Sequence, residues 1–338
     1  MLLVATDAHF EEHDAGRGHP ERPARVRAVL DGLDAGAPRE ARVRLAPRRA
    51  TRHELERVHT AKYLDHLERF CADGGGRLDA DTGASAASWE AALLAAGSGL
   101  EAVDALDRGD GEFAFCAVRP PGHHAVAEHA MGFCLLNNVA VTAAALRDRG
   151  ERVLVVDWDA HHGNGTQDIF YGDGAVMYVS LHEWPLYPGT GRLTDSGTGE
   201  GAGATVNFPL PSGATGDVYL DAIDTVVEPL VEAFAPSWVL VSAGYDAHRA
   251  DPLTGLGLSA GDYVDLTARM MAIAAPRRLV VFLEGGYDLD ALRDSTAATV
   301  STLIGQPERI EAATAAGPGR TVVDAVRDLH ASGPLAGG

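Results

Sequence analysis

The sequence predicts an α/β fold, a parallel sheet with helices on its faces. Short runs of β-type apolar residues alternate along the chain with segments of helical pattern. Four of the runs end in polar, glycine-rich sequences carrying His, Asp or Tyr, and open parallel sheets bind ligands beyond the carboxyl ends of their strands. No internal repeat and no long low-complexity linker interrupts the pattern. The 338 residues exceed the usual domain size, but a fold built on one large sheet reaches this length. A single domain over residues 1–338 is therefore expected, with a loose Gly/Pro end from about residue 332.

The elements follow in order. MLLVAT opens the chain as a strand. Residues 88–109, SWEAALLAAGSGLEAVDALDRG, read as a long helix with Ser88 as N-cap and Gly109 near the C-cap. EFAFCAV (112–118) is a strand, and NNVAVTAAALRDRG (137–150) a helix stopped by Gly150. RVLVVDWD (152–159) and AVMYVSLH (175–182) are strands, and 216–234 is helical. SWVLVSAG (237–244) is a strand, 259–275 a helix and RLVVFLEGG (278–286) a strand. A weaker helix is expected near 320–331.

Composition narrows the function. A hydrophobic content of 46% and a charged content of 22% suit a chain that buries a core. The formal net charge of −20 argues against a nucleic-acid surface, which needs clustered Lys and Arg to neutralise phosphate. It favours solubility and the attraction of cationic substrates. The basic residues are almost all Arg, with Lys62 the only lysine. Cys71, Cys116 and Cys134 are too few and too scattered for a disulfide framework or a zinc ribbon. The first ten residues lack the basic stretch and apolar run of a signal peptide, and no stretch approaches the ~20 apolar residues of a membrane span. A cytoplasmic protein with no membrane partner is expected.

The strand ends carry the chemistry. EFAFCAV runs into RPPGHHA, RVLVV into DWDAHHGNG, SWVLVSAG into YDAHRADP and RLVVFL into EGGYD. In an extended segment Asp157, Asp159 and His161 share one side, so Asp159 and His161 can bind one metal. Asp246, at another strand end, is the natural third ligand, and three such ligands with an open position describe a catalytic metal site. A divalent metal polarises a carbonyl and acidifies water. A proton shuttle must sit beside that water, and His123 and His124 are the candidates. Asp157 can hold His123 and Asn164 can hold His124, so the two imidazoles should differ in basicity. Tyr287 can donate to a developing oxyanion. Together these parts describe amide or ester hydrolysis. The chain has no Gly-x-Ser-x-Gly elbow and no phosphate loop, which disfavours a serine hydrolase or a nucleotidase.

These stretches resemble the histone deacetylase superfamily, especially class II enzymes and bacterial histone deacetylase-like amidohydrolases. The match runs in order through HPERP (19–23), RPPGHHA, GFCLLNN (132–138), VDWDAHHGNGTQDIFY, YVSLH (178–182), YPGTG (187–191), VSAGYDAHRADPL (241–253) and LEGGYDL (283–289). The resemblance implies an arginase/deacetylase fold, a parallel sheet of about eight strands flanked by helices. It implies one catalytic zinc ion (Zn2+) on Asp159, His161 and Asp246. It further implies His124 as general base and acid, His123 as its electrostatic partner, and Tyr287 as the group polarising the carbonyl. Phe133 and Tyr187 match the aromatic walls around an acyl-lysine stem, and Gly132 and Leu253 line the same slot. A structural potassium ion (K+) is implied at Asp157, Asp159, His161, Ser180 and Leu181, and Phe170, Asp173 and Val176 match a second. Arg22 matches a buried arginine behind the site, and Asp79 or Asp81 an aspartate at the rim.

The departures also inform. Asn164 stands where class I members carry Asp, which favours class II. Tyr187 adds a hydroxyl to a wall that is often Phe. Leu253 stands where some polyamine-specific relatives carry an acidic gatekeeper. The implied activity is deacylation of acetyl-lysine in a peptide or protein. The rivals are an acetylpolyamine amidohydrolase, a deacetylase of a small biosynthetic metabolite and a pseudoenzyme that binds acyl-lysine.

Overall fold

The computed structural model describes residues 1–331 and 333. The end expected to be loose from about residue 332 lies outside the described residues, Gly333 apart. The strands are β1 (Leu2–Ala5), β2 (Arg42–Leu45), β3 (Gly75–Arg77), β4 (Gly83–Ser85), β5 (Phe113–Cys116), β6 (Val153–Asp157), β7 (Val176–Glu183), β8 (Thr205–Leu210), β9 (Trp238–Ala243) and β10 (Leu279–Leu283). Strands β3 and β4 form a separate antiparallel pair. The other eight make one parallel sheet in the order β2-β1-β5-β10-β9-β6-β7-β8. The four strands whose ends carry the chemistry, β5, β10, β9 and β6, are thus contiguous at its centre. VLVVD, WVLVSA and LVVFL are apolar without alternation because helices cover both faces, and every residue of these strands is buried.

The helices are α1 (Ala24–Gly36), α2 (Arg52–Leu55), α3 (Ala61–Ala72), α4 (Ser88–Arg108), α5 (Asn138–Asp148), α6 (Asn164–Phe170), α7 (Gly216–Ala222), α8 (Glu228–Phe234), α9 (Ala260–Ile273), α10 (Leu289–Leu303) and α11 (Arg320–His330). One apolar cluster packs α3, α4 and α5 on one face of the sheet, and a second packs α1 and α7 to α11 on the other. Among the described residues no helix is long and apolar enough to cross a membrane.

Two helices depart from expectation. Ser88 is the first residue of α4 rather than its cap. Its hydroxyl is already engaged, accepting from the Ser85 N–H and meeting His13 Nδ1 at 2.6 Å. The helix expected at 216–234 is divided by a π turn over Ile223–Val227, where the Glu228 N–H reaches back to Ile223 O. Pro229 follows directly and has no N–H to offer a regular turn.

Candidate active site

Strand β6 ends at Asp157, and the chain beyond it leaves the pleat. Asp159 and His161 come together through two tight turns instead, closed by carboxylates. The Asp159 N–H donates to Asp157 Oδ1 (3.1 Å), and the His161 N–H donates to Asp159 Oδ1 (2.9 Å). The shared strand face expected from the sequence is therefore not what aligns them. Asp246 enters from the end of β9, and its Oδ1 accepts the Ala160 N–H at 2.8 Å. His161 Nδ1 lies 2.9 Å from Asp246 Oδ2 and 3.2 Å from Asp159 Oδ1. One donor atom from each of the three lies within 4.8 Å of the other two.

The cluster fits a divalent cation. Its two carboxylates occupy space that two glycines leave open. A Cβ on Gly244 would lie 2.1 Å from Asp159 Oδ2, and one on Gly285 would lie 2.3 Å from Asp246 Oδ2. Burial, with Asp159 alongside, pushes the Asp246 carboxyl up to about 7. Burial also opposes ionisation of Asp159, but His123 and His161 outweigh it and hold that carboxyl well below the usual range. Two crowded carboxylates and an imidazole, buried together, match the N/O donor set that zinc accepts.

The paired histidines hang from a loop fixed on every side. The Gly122 and His123 N–H groups donate to Glu284 Oε2 at 2.6 and 3.2 Å, and Asn138 Nδ2 donates to Pro120 O. Asn137 Nδ2 donates to Ala125 O, 3.2 Å away. Gly122 has no room for a side chain, since a Cβ would lie 2.5 Å from Asn138 N. His123 Nδ1 is 3.0 Å from Asp157 Oδ2, which also accepts the Tyr178 hydroxyl. His124 Nδ1 is 2.8 Å from Asn164 Oδ1, at the start of α6. The two rings lie 4.0 Å apart.

Their electrostatics diverge. Burial lowers the pKa of His123, but Asp157 and Asp159 overcome it and push the ring up to about 10. His124 has no carboxylate partner, and burial with repulsion from His123 and His161 drives it well below the usual imidazole range.

The rim contains the expected wall residues. Phe133, at φ 68°, stands edge-on to Tyr287, with ring centroids 5.8 Å apart. Tyr187 stands edge-on to His124 at 5.2 Å. Gly132 backs onto His124, and a Cβ there would lie 2.4 Å from the ring. Leu253 and Tyr187 are each 38% exposed at the surface. Asp81 Oδ1 accepts the Gly132 N–H, while exposed Asp79 closes its own turn onto Asp81 and Thr82. Ser180 faces Asp157 across β6 and β7, and Leu181 O accepts from the Tyr219 hydroxyl. In the second set, the Asp173 carboxylate pairs with Arg147, and the Asp173 N–H donates to Phe170 O. Val176 begins β7.

Arg22 is exposed, contrary to expectation. The arginine buried behind the site is Arg25, two positions beyond HPERP and the second residue of α1. Its Nε donates to Gly286 O (2.6 Å) and its Nη2 to Glu284 O, and the guanidinium sits 5.0 Å from the Tyr287 ring centroid. Burial keeps the Tyr287 phenol protonated against the pull of Arg25.

Sequence reasoning missed four other supports. Glu21 is wholly buried between Arg25, Arg119 and His13. Burial opposes its charge, but Arg119 prevails and holds the carboxyl well below the usual range. Arg119 also binds Phe10 O and His13 O. Glu284 anchors the histidine loop, and Asp251 accepts from the Tyr287 and Leu253 N–H groups. Glu284, Asp251 and Arg119 lie inside motifs, which was the available signal. Glu21 lies in HPERP, beside the residue chosen there.

Comparison with known proteins agrees with this fold. Residues 19–303 match the model of the histone deacetylase domain. The chain is 42% identical over 287 residues to a probable deacetylase of Archaeoglobus fulgidus, covering 83% of this chain and 80% of that one. It is 40% identical over 281 residues to the histone deacetylase-like amidohydrolase of Pseudomonas aeruginosa, covering 81% and 73%. The crystal structure of the HDA15 HD domain superposes with a TM-score of 0.90 at 36% identity, covering 98% of this chain and 94% of that one. Such relatives support a deacetylase or amidohydrolase activity, and the chain belongs to the histone deacetylase family.

Proposed function

We propose that the protein is a zinc-dependent deacylase hydrolysing the amide of N-acetyl-lysine in peptides or proteins. The observation that carries this reading is the buried Asp159, His161 and Asp246 cluster beside two imidazoles with unlike partners. Those three residues would hold zinc, which would supply Lewis acidity toward the amide carbonyl and toward water.

The chain's own groups do the rest. His124 Nδ1–H donates to Asn164 Oδ1, which leaves the Nε2 lone pair free to accept a proton. Burial keeps that ring neutral and so competent as a base. The same Nε2–H then protonates the departing lysine amine. His123, held protonated by Asp157, sets a fixed positive charge 4.0 Å from the His124 ring. The Tyr287 hydroxyl donates to the oxyanion that develops as the carbonyl is attacked. Phe133 and Tyr187 flank the aliphatic stem and exclude water, and Gly132 lets the chain pass close to His124. A structural potassium ion at Asp157, Asp159, His161, Ser180 and Leu181 belongs to the same reading, supported by the β6–β7 register that sets Asp157 opposite Ser180. Three free, buried cysteines support the cytoplasm as its compartment.

The exposed Leu253 and Tyr187 favour a peptide over a polyamine, because a peptide flank can lie on apolar surface that a small dication cannot use. The test is turnover by zinc-loaded protein of an acetyl-lysine peptide beside N-acetylputrescine and N-acetylspermidine, with Tyr287→Phe as control. Peptide turnover that disappears in the variant supports the reading. Turnover of the acetylpolyamines alone replaces it with a polyamine amidohydrolase, and no turnover of either refutes it.

A further inference from the structure

We propose that His162 and His182 are positioning residues that lock the segment 185–194 and so hold Tyr187 against the acyl-lysine slot. Neither belongs to the cluster of metal-ligating groups, and neither has a part in the chemistry above. Both side chains are buried, with ring centroids 4.8 Å apart.

The segment is irregular from Trp184 to Thr198 apart from isolated turns. Its backbone hydrogen bonds between 185 and 194 stay local: Gly189 N–H to Leu186 O, and turns between Arg192 and Asp195. Two of the hydrogen bonds that tie 185–194 to the rest of the molecule come from the two histidines, while the Tyr187 hydroxyl meets the Gly132 backbone across the slot. His162 Nδ1 meets Thr190 Oγ1 at 2.8 Å, and His182 Nε2 meets Gly191 O at 3.0 Å.

An oxygen that only accepts fixes the tautomer of each ring. His182 Nε2–H must donate to the Gly191 carbonyl, so Nδ1 accepts from the Ser180 hydroxyl, 2.9 Å away on β7. His162 Nε2–H donates to Gln167 Oε1 at 3.0 Å, so Nδ1 accepts from the Thr190 hydroxyl. Gln167 is itself held by Asn207 on β8, at 2.7 Å. The clamp therefore reaches from the loop through two rings to β7, α6 and β8.

Shape reinforces it. Gly191 adopts φ +83° and sits on both rings, and a Cβ there would lie 2.5 Å from His162 and 2.8 Å from His182. Three residues earlier the chain passes through Pro188 to Tyr187, whose ring stands over His124. The Gly132 contact and the His124 ring hold only the Tyr187 side chain, so the path of its backbone depends on this anchor. Losing it weakens substrate binding along the stem while leaving the triad and the histidine pair in place.

The kinetic consequence rests on the acyl-lysine reading, but the loop's anchoring does not. The experiment therefore pairs kinetics on an acetyl-lysine peptide with amide hydrogen exchange of the zinc-loaded protein. In His182→Phe, exchange should accelerate over 185–194 while β6 and β7 stay protected. KM should rise roughly three- to tenfold with kcat nearly unchanged, the scale of one lost hydrogen bond. Gly191→Ala should reproduce both effects from the other side of the contact. His182→Gln, which keeps an N–H donor, should recover much of the difference. Unchanged exchange over 185–194 in both His182→Phe and Gly191→Ala overturns the proposal. So does a fall in kcat with unchanged KM, which would assign the ring to the chemistry. A wild-type protein that turns over no acetyl-lysine peptide refutes the substrate reading and leaves the exchange result to decide the clamp.

Discussion

Replacing Asn164 with Asp separates the roles of the two histidines. Asn164 Oδ1 lies 2.8 Å from His124 Nδ1, so the change sets a carboxylate where an amide oxygen stood and preserves the shape. At the start of α6 the new charge is also tolerated by the helix. Two unit charges about 4 Å apart at an effective dielectric of 20 attract by about 4 kcal/mol, the upper bound on the effect. A charged partner at this range moves a pKa by about 1–3 pH units, and a carboxylate moves an imidazole upward. The neighbouring pair supports the sign: Asp157 Oδ2, 3.0 Å from His123, helps to push that ring up to about 10. In the proposed mechanism His124 is the base, a role it can fill only when neutral, and the acidic limb of kcat/KM then reports its pKa in the free enzyme. Raising that pKa moves the limb to higher pH by the same amount. Below the new limb the variant loses about tenfold for each pH unit that the limb has moved, and above it the activity returns. The assay is kcat/KM for an acetyl-lysine peptide across about pH 5 to 10, with zinc content measured at each end. An acidic limb that stays in place or moves to lower pH, at constant zinc content, refutes His124 as the base tuned by Asn164.

Three further substitutions probe other parts of the molecule. Gly285→Ala drives a methyl into Asp246 Oδ2 and Asp159 Oδ2, so zinc content measured by elemental analysis should collapse while the far-ultraviolet circular dichroism persists; full zinc occupancy contradicts the assigned site. Tyr287→Phe should lower kcat by about 10²–10³ with little change in melting temperature, the scale of one lost oxyanion donor; an unchanged kcat removes the phenol from the chemistry. Burial opposes ionisation of Glu311, but the Ala260 N–H, His248 and Arg249 outweigh it and lower its carboxyl to about 2. Its stabilising contribution is thus complete above the ordinary carboxylate pKa and disappears as pH falls through about 2. Glu311 is 26% exposed, so solvent screening limits that contribution to about 1–2 kcal/mol. Glu311→Gln should therefore lower stability in urea most above about pH 4.5, with the gap closing toward pH 2; a gap that stays constant with pH argues against the linkage.

The legible elements were those whose signal is local. Strands β6, β9 and β10 are continuous apolar runs, and the sheet that buries them on both faces follows from that composition. Strand β2, RVRL, lies at the sheet edge with each residue at least partly exposed, so it shows no apolar run. Strand β8, TVNFPL, includes Pro209, which argues against a strand anywhere but at an edge, and β8 is the opposite edge. Helix α10 is rich in buried Ser and Thr, poor helix formers whose hydroxyls turn back onto their own turn, as Thr302 does to Ala298 O. It is stabilised by close packing on α1, where a Cβ on Gly36 would lie 2.3 Å from Ala297 O. That approach is a tertiary fact with no signature in either segment alone.

The site divides along the same line. The groups proposed to react lie in contiguous motifs, because each sits at the end of one strand, and central neighbours in a parallel sheet bring their ends together. The groups that hold those motifs against one another reach across the chain. Glu284 meets Gly122 over 162 positions, Arg25 meets Gly286 over 261, and Arg119 meets Glu21 over 98. Arg25 grips the backbone on both sides of Gly285, and Arg119 opens the histidine loop. Glu21 joins the two guanidinium groups where no solvent reaches any of the three. An apolar substitute of equal volume could fill that space at no loss of stability, but it could not satisfy the Glu284, Gly286, Phe10 and His13 carbonyls that the arginines bind. The buried ions are thus explained by the backbone they hold: they fix the loop bearing His123 and His124 relative to the one bearing Tyr287. Hydrolysis of one amide needs donors and acceptors from both loops within hydrogen-bond reach of the same carbonyl, and that requirement selects charge over oil in this corner of the core.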